Sequence, residues 1–70
     1  MKMISDIAEL KKGDTIIVKD YACFESLGYR KVFGEVFSID LGNPNFIIKC
    51  KETDAFENVS IENGKIFLIN

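Results

Sequence analysis

Few residues in this 70-residue chain are of a type that does covalent chemistry, and their spacing argues against it. There is no histidine, so the side chain that ordinarily moves protons at neutral pH is missing. The two cysteines, Cys23 and Cys50, have no histidine to complete a zinc set and read as small apolar core or half-core residues with reduced thiols. Asp14 with Asp40, or Glu35 with Glu52, could be paired on paper as acid and base, but carboxylates at turns are commonplace. No glycine-rich phosphate loop, nucleophile elbow or metal-ligand spacing occurs. The expectation is therefore no enzyme, no cofactor and no metal site, and work done by binding.

Three groups of residues could do that work. The first is an aromatic segment, Tyr21, Phe24 and Tyr29, with Arg30 and Lys31 beside it. Aromatic faces offer a partner large contact area at low entropy cost, but the same rings would equally plug one end of a small barrel. The second group is Ile17, Phe37 (or Phe33), Ile47, Phe67 and Ile69, which fall on the face of their strands turned away from the interior. Strands apolar on both sides imply a second covered surface, either under an N-terminal helix or against another chain. A protein partner and self-association are expected on that ground. The third group, Asp40, Asn43, Asn45 and Asn63 with Lys65 nearby, consists of ordinary turn formers in one reading and a nucleic-acid-binding set in the other.

Charge discriminates between these partners. The net charge is −2, with six cations against five acids in residues 1–33 and three against six in the remainder. A nucleic-acid binder usually carries a basic face, because neutralising phosphates supplies much of its affinity. With one arginine, Arg30, this chain disfavours that class without removing it. No window approaches the roughly 20 apolar residues that cross a bilayer. No leader pattern is visible at Met1-Lys2-Met3-Ile4, so no membrane and a cytoplasmic location are expected.

The elements that must position these groups follow from periodicity and turn chemistry. Apolar residues make up 47% of the chain, six of them Phe, which is ample core material for one domain spanning residues 1–70. Ile4, Ile7 and Leu10 recur at helical spacing, Asp6 and Glu9 suit a capping box and Gly13 suits a stop, so residues 4–12 read as a short helix. From Asp14 the character is β. Strands are expected at Thr15–Lys19, Val32–Asp40, Phe46–Lys51, Phe56–Ile61 and Lys65–Ile69, with a long loop or splayed hairpin over 20–31. Val36 and Ile39 are three apart, which breaks alternation and, with Gly34, implies a bend or bulge. Asn63-Gly64 between two apolar runs predicts a type I′ hairpin. Five short strands in residues 14–69 should wrap on themselves, giving a mainly β fold, a small five-stranded barrel with a short N-terminal helix.

That order of signals resembles the small SH3-like barrels of KOW and Tudor type. Lys12-Gly13-Asp14-Thr15-Ile16-Ile17-Val18 resembles their lead into the first strand, and Gly34-Glu35-Val36-Phe37-Ser38-Ile39-Asp40 the strand after their long first loop. The second segment, followed by Asn43 or Asn45, is also similar to Sm-like proteins, which have an N-terminal helix and five strands. Ile61-Glu62-Asn63-Gly64-Lys65-Ile66 loosely matches their late turn, with Asn63 where they carry arginine. Pro44 stands where a stacking residue is expected, and the loop between the first two strands is far longer than theirs.

The expected function is a small non-enzymatic adaptor or inhibitor that binds protein and self-associates. The Ile- and Lys-heavy, Arg-poor usage fits a bacterial or phage source. The Sm-like or KOW-like resemblance implies instead single-stranded RNA or DNA binding through Asp40, Asn43, Asn45, Asn63 and Lys65. Capture of a small nucleotide between subunits is a third option.

Overall fold

A computed structural model describes residues 1–69; the final residue of the expected 1–70 domain lies outside them. The elements run β1 (Lys2–Ile4), a 3-10 turn (Ile7–Glu9), β2 (Thr15–Lys19), a single helical turn α1 (Ala22–Glu25), β3 (Lys31–Ile39), β4 (Asn45–Cys50), β5 (Phe56–Ser60) and β6 (Lys65–Ile69). All strand pairs are antiparallel, and the six strands form one sheet in the order β1-β6-β2-β3-β4-β5. No helix among the described residues is long and apolar enough to cross a membrane.

Alternation places the core. Ile16 and Val18 of β2, Val32 and Val36 of β3, Phe46, Ile48 and Cys50 of β4, Val59 of β5 and Ile66 of β6 point to one side and form the buried cluster. The register of β3 on β4 shifts between Val36 and Ser38, so Phe37 and Ser38 both face out while Ile39 turns back to the core. This is the irregularity implied by the three-residue spacing of Val36 and Ile39. Gly34 allows close packing against β4, because a Cβ there would stand 2.9 Å from Ile48 Cδ1. The curved sheet wraps its inner face without closing, since β1 and β5 remain its two edges. The open side is stopped by Ile7, Leu10 and Phe24 from the two short turns. Tyr21 Oη donates to the Asn58 carbonyl at 3.3 Å, tying the start of α1 to edge strand β5.

Three expectations need correction. Residues 4–12 are not a helix: Lys2, Met3 and Ile4 pair with Leu68, Phe67 and Ile66, making a sixth strand, and only one 3-10 turn follows. The helical spacing of Ile4, Ile7 and Leu10 was right about burial, since all three are in the core, but β6 offered an edge whose backbone groups β1 satisfies. The capping box does form around that turn. Second, Asn63-Gly64 makes no hairpin, because β5 pairs with β4 alone while β6 lies between β1 and β2. Neither residue has positive φ. Gly64 is needed for close approach instead: a Cβ there would meet the Lys19 carbonyl and Tyr21 Cδ2, each at 3.1 Å. Third, the sheet is an open six-stranded one rather than a closed five-stranded barrel, and the 20–31 loop contains the turn α1.

The lead-in also sets a pH dependence. Glu9 meets Lys2 Nζ at 2.9 Å and accepts the backbone N–H groups of Ser5 and Asp6 at 2.9 and 3.0 Å. The hydrogen bond from Lys2, then those two backbone donors, pull its carboxyl from the ordinary 4.5 to about 2. A lowered folded-state value stabilises above the unfolded value, and that contribution is lost as pH falls toward the folded one. Glu9→Gln is therefore expected to flatten the stability profile between pH 4.5 and about 2, leaving its slope above that window unchanged. Urea midpoints measured across the pH series check this.

Candidate functional site

The outer face of the sheet carries the most distinctive arrangement. Residues Thr15, Ile17 and Lys19 of β2 alternate with its core residues and so face outward, as do Lys65, Phe67 and Ile69 of β6 and Lys31, Phe33 and Glu35 of β3. Cross-strand register then assembles rows. Met3 pairs with Phe67, Phe67 with Ile17 and Ile17 with Phe33, so one apolar row crosses four adjacent strands. Ile17 is only 6% exposed yet is not part of the core cluster. Two Phe residues flank it in the row. Met3 at the end is 53% exposed.

A second row lies alongside. Lys19 pairs with Lys65 on one side and with Lys31 on the other. Two of these lysines lean over the aromatic row: Lys19 Nζ is 5.2 Å from the Phe67 ring centre and Lys31 Nζ 5.7 Å from that of Phe33. Lys65 lies 3.4 Å from Asp20, an exposed pair of little energetic weight. Just past β4, the backbone N–H of Lys51 donates to the Phe33 carbonyl at 2.9 Å. Glu52 is nearby, but both its oxygens accept the Phe33 N–H, at 2.9 and 3.0 Å.

The remaining candidates lie elsewhere. Phe37 and Phe56 meet on the outer side of β3 and β5 with ring centres 4.6 Å apart and planes tilted by 58°, Lys12 Nζ lies 5.6 Å from the Phe37 ring centre, and Ile47 is exposed on the strand between them. Ile69, opposite Thr15, is half-buried. The aromatic segment turns inward: Phe24 is 2% exposed and in the core, and Tyr21 and Tyr29 pack against it. These rings cap the interior, while Arg30 and Lys31 beside them are exposed. Of the polar set, Asp40, Asn43 and Asn45 come together with Ser38 and Asn58 around a shallow cleft of about 200 Å³. Asn63 and Lys65 are not in its walls. Asp40 accepts the Gly42 N–H and Asn43 the Asn45 N–H, so both act as turn formers. No protein-family model, curated protein or solved structure matches this chain.

The residues considered for chemistry are dispersed or occupied. Asp14 accepts the Lys11 N–H at 2.8 Å, and Asp40 and Glu52 are likewise held by backbone donors. Cys50 is buried, and that burial pushes its thiol up, away from the reactive thiolate. Cys23, expected at least half in the core, is exposed, because α1 buries Phe24 and turns its neighbour outward. Sequence reasoning found Ile17 and Phe67 but missed Met3 and the lysine row. The signal for Met3 was hidden by the helical spacing around it, and the lysine row exists only once three distant strands are in register.

Proposed function

We propose that this chain is a non-enzymatic binding module, a small adaptor or inhibitor that receives a protein partner on the outer face of β1, β6, β2 and β3. One observation carries the reading. The row Met3–Phe67–Ile17–Phe33 spans four strands on the side away from the core, while the short turns bury Ile7, Leu10 and Phe24 on the inner side. An apolar row of this breadth, rimmed by charge, is the anatomy of an interaction surface. Five strands following the Gly13-Asp14 lead, with a bend in the Gly34 segment, support an SH3-like architecture for the module.

The test is capture of a partner from host lysate by the immobilised chain. Retention is expected to be lost in a Phe33→Gln/Phe67→Gln double variant and in Met3→Gln, whose exposed position leaves folding intact. It is expected to persist in Leu41→Gln, at an exposed turn outside the row. Capture unaffected by the row variants, or none at all, would overturn the proposal. A second copy as the occupant would instead appear as a dimer by light scattering that Met3→Gln dissolves. A second reading, single-stranded nucleic acid held in the cleft of Asp40, Asn43 and Asn45, is favoured only by the convergence of those three side chains.

A further inference from the structure

The lysine row says more about the partner than the apolar row does. Lys65, Lys19 and Lys31 stand directly opposite one another on three adjacent strands, an arrangement that destabilises a sheet through like-charge repulsion. Among the described residues neither Lys19 nor Lys31 takes part in an ion pair. The three lysines of the row stand against the carboxylates of Asp20 and Glu52, in a chain whose net charge is −2. The excess of one positive charge there leaves the rest of the molecule at −3. The basic end is thus a local reversal of an acidic protein's field.

Resting on the proposed sheet-face reading, we infer that the partner is an acidic protein segment, carboxylates on the Lys65–Lys19–Lys31 row and apolar side chains along Met3–Phe67–Ile17–Phe33. Charge complementarity makes the choice. An incoming carboxylate relieves the repulsion between the lysines, and the adjoining apolar row supplies the desolvated contact that turns encounter into residence. Single-stranded nucleic acid fits less well. The acidic remainder of the surface would repel a phosphate chain running beyond the strip. A second copy would bring its own lysine row, so like meets like unless it docks through a different face.

Selection of a random peptide library against the full chain tests this directly. The recovered peptides are expected to be rich in Asp and Glu interspersed with large apolar residues. Their binding is expected to weaken by about tenfold or more in Lys19→Glu/Lys31→Glu, and to fall with added salt. The charge-reversed variant is expected to select basic peptides instead. Neutral or basic peptides selected by the unaltered chain, lost in Met3→Gln but indifferent to Lys19→Glu/Lys31→Glu, would overturn the acidic partner while keeping the sheet face. Peptides indifferent to both variants, or no selection above background, would overturn the sheet-face reading itself. A labelled oligothymidylate that binds more tightly than the selected peptides would replace the protein partner by nucleic acid. Thermal melts of each variant establish that the fold is retained.

Discussion

Replacing Phe46 with alanine is expected to remove about half or more of this protein's stability. Phe46 is 2% exposed, lies on β4, one strand in from the β5 edge, and is flanked in register by Ile39 of β3 and Val59 of β5. Truncating a buried Phe costs about 3–5 kcal/mol, from lost transfer free energy together with the cavity left behind. At about 0.05–0.15 kcal/mol per residue, a chain this short has only roughly 4–10 kcal/mol in total. There is little spare core to absorb the loss, because a domain of this size buries only about 60% of its unfolded surface. Ile47, the next residue, faces solvent, and Ile47→Ala is expected to shift stability by no more than about 0.5 kcal/mol. Urea denaturation of the two variants side by side measures the contrast. Equal losses at both positions would mean that β4 does not alternate as described.

The second large effect is expected at Gly64, with its neighbour as the control. Gly64→Ala places a methyl 3.1 Å from the Lys19 carbonyl and 3.1 and 3.3 Å from Tyr21 Cδ2 and Cβ. The carbonyl belongs to the end of β2, which pairs on both sides and cannot retreat. Tyr21 is held by its ring contact with Phe24, 5.3 Å between centres, and by its hydroxyl bond to Asn58. Overpacking of this kind costs about 1–3 kcal/mol. Asn63→Ala is expected to change stability by less than about 0.5 kcal/mol, because Asn63 is exposed and needs no positive φ. A type I′ turn would instead penalise both substitutions, since both of its central residues require positive φ. Thermal melts of the two single variants therefore separate a hairpin from the crossing that the structure contains.

That crossing explains much of what could be read beforehand. Asn63-Gly64 lies between two apolar runs, and local turn chemistry alone favours folding β6 back on β5. What outweighs it is the place available to each strand. With β5 on β4 at one end of the sheet, β6 gains two neighbours by crossing to β2 and β1, and its two apolar sides are both used. Ile66 enters the core, while Phe67 joins Ile17 and Met3 outside. The same competition turned the N-terminal segment into a strand: pairing Lys2–Ile4 with Leu68, Phe67 and Ile66 outweighed the weak helical tendency of so few residues.

The amino-acid sequence by itself determined five of the six extended segments, most of the side chains that face inward from them, where β3 must bend, and that some strands are apolar on both sides. Those properties depend on neighbours one to four residues away, and period and turn residues record them. Only the tertiary structure decided which strands adjoin, and with them the open six-stranded order, the inward turn of Phe24 and the alignment of Lys65, Lys19 and Lys31 beside an apolar row. Partner choice is settled by the summed burial and hydrogen bonding of segments far apart in the chain. No local pattern of residues contains that sum.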